Sequence, residues 1–172
     1  MFWFEIPVCI KNLRLDISCN FFNGSFPGGV SGLKNLVDFN AYSNAFTGPL
    51  PWEFAELGNL KRRNIAGSYF NGTIPSQYGE LSRLEYLSLA GNVISGPIPA
   101  EFGKLQELRH LELGSNTYMG GIPWQFGAMS KLEFLHIEHA NLTGPLPVEL
   151  GKLKRLKMLI LFINKLTGFI PW

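Results

Sequence analysis

The stretch Leu84–Pro99, LEYLSLAGNVISGPIP, places three leucines at spacing L-x-x-L-x-L (Leu84, Leu87, Leu89) ahead of Asn92, Ile94, Gly96, Ile98 and Pro99. Leu87 and Leu89 stand two apart with Ser88 between them. On an extended chain that alternation turns both leucines to one side and the serine to the other. Asn92, Gly96 and Pro99 follow at once, with turn chemistry that a longer strand does not tolerate. The stretch therefore predicts a short, half-buried strand followed by a reversal of the chain.

The same wording recurs along the chain. Gly24, Gly48, Gly72, Gly96, Gly120, Gly144 and Gly168 are spaced 24 residues apart, and each is followed three residues later by Pro. Strict self-similarity at this period marks a solenoid, whose units are too small to bury their own apolar faces and so stack on their neighbours. Asn20, Asn44, Asn92, Asn116 and Asn164 share one phase. An amide there offers a donor and an acceptor to backbone groups left unpaired where the strand ends, and stacking makes the amides a continuous polar spine. Apolar residues of the return segment, such as Leu50, Leu57 and Leu60, pack beneath the convex side, where the prolines prevent one regular sheet. Ser68 and Ala140 interrupt the spine; serine is expected to replace part of the amide's bonding and alanine none, with local irregularity. Ala140→Asn is expected to stabilise the fold if its slot faces inward. Arg63 stands at an inward leucine position, and its head is expected to swing outward along its aliphatic stem.

Composition excludes several classes. The 172 residues are 46% hydrophobic and 16% charged, with formal net charge +2. That balance suits an array with a real core and argues against an electrostatic nucleic-acid binder. The one basic cluster, Lys152, Lys154, Arg155 and Lys157, reads as a solvated face. No apolar run is long enough to span a bilayer. Met1–Ile10 lacks the basic leader and small-residue cleavage site of a signal peptide. Ile6–Pro7 resembles the tail of an earlier repeat: residues 1–12 read as its degenerate end, and residues 13–172 as an array of about seven repeats, the last truncated. The chain thus reads as a fragment without terminal caps. Cys9 and Cys19 could pair but do not form the framework of an extracellular cap. Asn23-Gly-Ser, Asn71-Gly-Thr and Asn141-Leu-Thr are glycosylation sequons at turn positions, although the repeat itself partly forces such wording.

No phosphate loop, dinucleotide fingerprint, nucleophile elbow or kinase catalytic loop is present, so no catalytic residue, cofactor or metal is assigned. His136, Glu138, His110 and Glu112 fall on adjacent coils, with Glu112 about one strand spacing (~5 Å) from His136. Imidazole–carboxylate hydrogen bonding accounts for them better than a metal site.

The outward strand positions carry the functional reading. Small residues align at Ala66–Gly67, Ala90–Gly91 and Gly114–Ser115. Stacked, they predict a shallow trench flanked by Tyr42, Phe46, Tyr69, Phe70 and Tyr118. An extended peptide would lie there, its backbone matched by Asn40, Asn64 and Ser88. The candidate peptide-binding set is Asn40, Tyr42, Ser43, Phe46, Asn64, Gly67, Tyr69, Ser88, Gly91, Glu112, Ser115, His136 and Glu138.

The template L-x-x-L-x-L-x-x-N-x-L-x-G-x-I-P, present from Leu13 to Trp172, resembles that of the plant extracellular leucine-rich repeats. FNAYSNAFTG (39–48), AGSYFNGTIP (66–75), LAGNVISG (89–96), GGIPWQFGAMSKL (120–132) and HANLTGPLP (139–147) are similar to the receptor-like kinases that include the receptor for tracheary element differentiation inhibitory factor and its More-Lateral-Growth relative. The resemblance implies an α/β-type solenoid: a right-handed superhelix of 24-residue repeats with parallel concave strands and an irregular or 3-10 convex side. It implies a receptor-like kinase ectodomain outside the plasma membrane, binding a short secreted CLE-type peptide on its concave face and meeting a co-receptor kinase. By motif match, Tyr42 and Ser43 would line the subsite for the peptide's N-terminal part, near Gly67 and Tyr69. The sequence departs at Ser115, where that group commonly has Tyr, and at His136, where it has Asp, which puts the same ligand in question. The alternatives are a soluble inhibitor of a wall-degrading enzyme or a non-functional gene remnant.

Overall fold

The computed structural model describes residues 11–171. The leader-like stretch, the Ile6–Pro7 tail, Cys9 and Trp172 lie outside the described residues. Seven parallel strands, Leu13–Asp16, Leu36–Asn40, Arg62–Asn64, Tyr86–Ser88, His110–Glu112, Phe134–His136 and Met158–Ile160, form one sheet in strict sequence order. The register follows the repeat: Asp38, Arg62, Tyr86 and His110 stand side by side, as do Asn40, Asn64, Ser88 and Glu112. Between the first two strands the register shifts at Leu13/Arg14, where the irregular opening coil meets the regular array.

Behind this concave sheet the ladder residues close into one core. Leu84, Leu87, Leu89, Leu108, Leu111 and Leu113 are fully buried, together with Phe54, Phe102 and Phe126 of the convex turns. The convex side consists of five-residue 3-10 turns, Gly28–Gly32, Trp52–Glu56, Ser76–Glu80, Ala100–Lys104, Trp124–Ala128 and Val148–Lys152. Each is entered from a proline in extended conformation. Proline fixes φ and lacks an N–H, so it launches the turn while its carbonyl accepts the first bond, as Pro99 does from Phe102. Between the two sides runs a flank of very short parallel strands that the sequence reading did not anticipate; Asn23–Ser25, Ala45–Pro49 and Tyr69–Asn71 pair in one group.

The asparagine spine is present. Asn116 donates through Nδ2 to the carbonyls of Leu89, Leu113 and Gly114, while its Oδ1 accepts from the Ile94 N–H. Asn44, Asn92 and Asn164 repeat the arrangement, each tying its own bend to the coil before it. The two exceptions differ from expectation. Ser68 is buried, but its Oγ has no partner, because a hydroxyl on one short bond does not reach what the longer amide spans. Ala140 is also buried, and here the backbone substitutes. Tyr118 N–H donates to the Ala140 carbonyl, and Asn141, one residue later, folds its Nδ2 onto the Tyr118 carbonyl. The local irregularity takes the form of left-handed backbone at both His139 and Asn141. Because Asn141 already serves this site, Ala140→Asn completes nothing that is missing, and no gain is expected from it.

Arg63 overturns the expectation of an outward head. Its side chain is fully buried, with the guanidinium sandwiched between the Phe54 ring at 3.8 Å and the Tyr78 ring at 4.1 Å. Nη2 donates to the Tyr78 hydroxyl at 2.7 Å, which in turn donates to the Pro51 carbonyl at 2.8 Å, while Nε and Nη1 have no partner. The stem is anchored in a strand whose two neighbours fix it on both sides, so the head has no path to water. Burial pushes the guanidinium below its ordinary pKa and the Tyr78 hydroxyl above its own. Two desolvated cation–π contacts contribute about 2 kcal/mol each, against several kcal/mol for taking an ion out of water with no carboxylate to meet it.

The 3-10 turns stack closely enough to dictate glycine. A methyl carbon on Gly79 would sit 2.5 Å from the Glu101 carbonyl oxygen, and one on Gly103 2.6 Å from that of Gln125. These are backbone atoms held by their own turns and cannot withdraw.

Two outcomes follow for equilibrium urea unfolding. Asn116→Ala lowers stability by at least about 2 kcal/mol, since stranding even one buried backbone group costs ~1–3 kcal/mol. Arg63→Leu raises it by about 1–4 kcal/mol, as replacing a buried ion by an apolar residue of similar volume does elsewhere; Tyr78→Phe destabilises the parent far more than it does the Arg63→Leu background.

Candidate concave binding face

The first four concave strands enclose a hollow of about 320 Å³ lined by Arg14, Leu15, Asp16, Asp38, Asn40, Arg62, Asn64 and Tyr86. Strand alternation puts all of these side chains but Leu15 on the open face; Leu15 pairs with Phe39 and packs against the core, and Leu36, Phe39, Leu84 and Leu87 point inward. Polar contacts then run from strand to strand. Asn40 Nδ2 donates to Asp16 Oδ2 at 3.0 Å. Asp38 faces Arg62 at 3.7 Å, and the Arg62 guanidinium lies 4.7 Å over the Tyr86 ring. The Tyr86 hydroxyl donates to Glu112 at 3.1 Å. Beyond it His110 stacks flat on Phe134 at 4.3 Å.

The electrostatics of this rail follow from these contacts. Hydrogen bonds from the Ser18 side chain and backbone, then from Asn40, hold the Asp16 carboxyl below its ordinary value. Burial, reinforced by the neighbouring Glu112 carboxylate, pushes the Tyr86 hydroxyl up to about 12. Burial lowers the His110 pKa from its ordinary value, with the imidazole stacked on the Phe134 ring. The face thus offers carboxylates, two cations and amide groups at fixed spacing. Among the described residues no cluster of three or more His, Cys, Asp or Glu could hold a metal.

The sequence-derived set divides on inspection. Asn40 and Asn64 line the hollow, each also bracing its own strand end by accepting from the backbone N–H two residues on. Tyr42 lies on the same face and is 46% exposed. Ser43, Gly67, Gly91 and Ser115 do stack in one column, joined by backbone bonds from Ser43 to Ala66, Gly67 to Ala90 and Gly91 to Gly114. Their smallness has another cause than a trench. The whole column, from Cys19 to Ile163 in steps of one repeat, is left-handed, with φ between 48° and 66°. Glycine adopts that conformation freely and other residues under strain. The Tyr42 ring also covers Gly67, where an added methyl carbon would meet Tyr42 Cε2 at 3.4 Å.

Other positions are corrected outright. Phe46 is buried and stacks on Phe70 at 5.9 Å inside the core, and Phe70 and Tyr118 are core residues as well, so none of them flanks a trench. Tyr69 is 59% exposed but belongs to the flank strand Tyr69–Asn71, outside the concave sheet. Ser88 is in the concave sheet yet almost fully buried, because the larger Tyr86 and Glu112 close over its row. Glu112, His136 and Glu138 are on the concave face, but the expected imidazole–carboxylate bond is not formed: His136 Nε2 and Glu138 Oε2 are buried without partners. The Glu138 carboxylate lies directly over Gly114, where a methyl carbon would meet its Cδ at 2.5 Å. Arg14, Asp16, Asp38, Arg62 and Tyr86 were left out of the set. Their signal is legible in the sequence, since they occupy outward strand phases and are marked by charge and ring size, not by smallness.

Residues 83–105 match the Leucine Rich Repeat family. The crystal structure of a TDR receptor is 48% identical over 92% of this chain, with a TM-score of 0.91, and the match covers 27% of that chain. The Arabidopsis receptor kinase HAESA, in complex with the peptide hormone IDA and the co-receptor SERK1, is 35% identical over 92% of this chain, with a TM-score of 0.89 and 26% of its own length covered. Pollen Receptor Kinase 3 is 30% identical over 81% of this chain and 67% of its own, with a TM-score of 0.74. The chain belongs to the plant leucine-rich-repeat receptor kinases. It spans about a quarter of the length of the first two ectodomains. No curated protein matches the sequence. A plant ice-binding protein, 23% identical with a TM-score of 0.60, shares the fold alone.

Proposed function

We propose that this chain is a ligand-recognition segment of a receptor kinase ectodomain, and that a short secreted peptide of CLE type lies extended across its concave strands. The observation that carries the reading is the hollow across the first four strands. It is open, it presents Asp16, Asp38, Arg14 and Arg62 at fixed positions, and it continues past Tyr86 onto the His110–Phe134 stack. A peptide in extended form meets such a face with backbone groups against amides such as Asn64, whose Nδ2 takes no partner among the described residues, and with alternate side chains in the hollow. Similarity to HAESA, solved with a peptide hormone and a co-receptor, supports a peptide ligand and a co-receptor kinase as partners. The longer receptor would hold this segment at the extracellular face of the plasma membrane; no helix among the described residues is long and apolar enough to cross a membrane. The segment itself carries recognition, and catalysis would belong to a kinase domain of the parent receptor.

Titration with CLE-type peptides tests the reading directly. Arg62→Ala and Tyr42→Ala weaken binding at least about tenfold, as loss of a central aromatic or arginine contact does at other interfaces. Tyr69→Ala, on the flank, leaves affinity unchanged. Equal losses from all three, or none from Arg62→Ala, reject the concave site.

Secretion would expose the three sequons to glycosylation, and they are not equivalent. Asn23, Asn71 and Asn141 are all exposed, but the Asn141 amide is committed to the Tyr118 carbonyl whereas the Asn71 side-chain amide, on the flank strand, has no partner among the described residues. In protein from a plant secretory host, intact-glycopeptide mass spectrometry finds Asn71 occupied. In unglycosylated protein, Asn141→Gln lowers the melting temperature and Asn71→Gln does not.

A further inference from the structure

We infer, building on the reading of Asn71 as an occupied sequon, that the Tyr69 ring is the platform on which the first N-acetylglucosamine of that glycan lies, so that the glycan covers the flank of the array. In the flank strand Tyr69–Asn71 the middle residue, Phe70, is buried and its two neighbours are exposed. Alternation therefore turns Tyr69 and Asn71 to one outer side, about 7 Å apart along the strand. The Tyr69 side chain is 59% exposed, and its hydroxyl and ring meet no hydrogen-bond, ring or cation partner among the described residues. Pro49, paired with Asn71 on the preceding coil, is exposed as well. On the next coil Val93, whose N–H bonds to the Phe70 carbonyl, is 50% exposed. An apolar strip this open in the middle of the array marks a contact surface.

Two further observations make a saccharide the occupant. One is charge. The flank strands from Asn23–Ser25 to Thr143–Pro145 hold no Asp, Glu, Lys or Arg, whereas salt bridges link coil to coil elsewhere on the array, as between Asp38 and Arg62 or Glu80 and Lys104. A neutral pyranose meets such a surface without desolvating an ion, laying its C–H face on the aromatic ring and leaving its hydroxyls in water. The other is a coincidence of rows. In steps of 24 residues, the row of Tyr69 has an aromatic only at Phe21 and Tyr69, and the row of Asn71 has asparagine only at Asn23 and Asn71, on the same two coils. FFNGS (21–25) and YFNGT (69–73) thus both set an aromatic two residues ahead of the sequon asparagine. Asn141 falls in the row of Tyr69 instead. Its amide is held by the Tyr118 carbonyl and the residue two before it, His139, has left-handed backbone, so the same platform is not built there. Attachment at Asn71 forms a bond from Nδ2 to C1 of the sugar and breaks the bond from C1 to the diphosphate of a lipid-linked oligosaccharide; the lipid diphosphate leaves and one Nδ2 proton is released.

The test compares the parent, Tyr69→Ser, Asn71→Gln and the double variant, all from a plant secretory host, with intact-glycopeptide mass spectrometry reporting Asn71 and melting measured on the fraction occupied there. Tyr69→Ser is expected to lower the melting temperature of the glycosylated parent by about 2–4 °C and to leave that of Asn71→Gln nearly unchanged. Tyr69→Phe, which keeps the ring, melts with the parent. In isotope-labelled protein the ring shifts protons of the first N-acetylglucosamine at Asn71 upfield, a displacement that Tyr69→Phe preserves and Tyr69→Ser removes. An unoccupied Asn71 in the parent rejects the sequon reading and the platform together. With Asn71 occupied, either equal effects of Tyr69→Ser in the two backgrounds or sugar resonances that ignore the ring overturn the platform alone and leave the sequon reading standing.

Discussion

Parallel backbone pairing between coils one repeat apart is the constraint on which everything else depends. Each coil offers its strand, its bend and its turn to the next in the same register, and the buried asparagines close that pairing where the strand stops. Asn44, Asn92, Asn116 and Asn164 satisfy carbonyls on two coils at once. A slip of one residue would strand all of these groups in an apolar interior. The 24-residue period is thus enforced by polar satisfaction as much as by leucine burial.

That rigidity suits the concave face to the recognition proposed for it. Side chains on successive strands stand one spacing apart on a frame that does not adjust, so Asp38, Arg62, Tyr86 and Glu112 meet in sequence without any loop to position them. The chemistry is uneven along the array. The early strands present paired charges around a hollow, and the later ones present stacked rings and two polar atoms with no protein partner, His136 Nε2 and Glu138 Oε2. An extended ligand would meet different environments at its two ends, which is how one repeated scaffold can distinguish sequences.

The departures from regularity are equally instructive. Arg63 occupies a leucine slot and is held there by two aromatic faces and a tyrosine hydroxyl, a combination present only because Phe54 and Tyr78 come from adjacent convex turns. Ala140 lacks the spine amide; its own backbone carbonyl takes the Tyr118 N–H, and the neighbouring Asn141 reaches the Tyr118 carbonyl. In both places the substitution is visible in the sequence, but its resolution needs residues that the one-dimensional repeat does not associate.

Period, strand phase, inward leucines, proline-initiated turns and the asparagine spine were all legible in the sequence, because they are local patterns repeated along the chain and each repetition checks the others. The outward phase was legible too, so the membership of the concave face was accessible. Its depth was not. Whether Ser88 is open or covered depends on how far Tyr86 and Glu112 lean across, and whether a small residue marks a groove or a left-handed bend depends on φ, which Gly67 and Ser115 do not announce. The sequence by itself determined that this protein is a stack of coils and which residues point in; only the tertiary structure decided where Arg63 puts its charge and which outward residues form a hollow. The reason is that periodicity fixes direction, while contact between side chains of different coils is set by their sizes and reach.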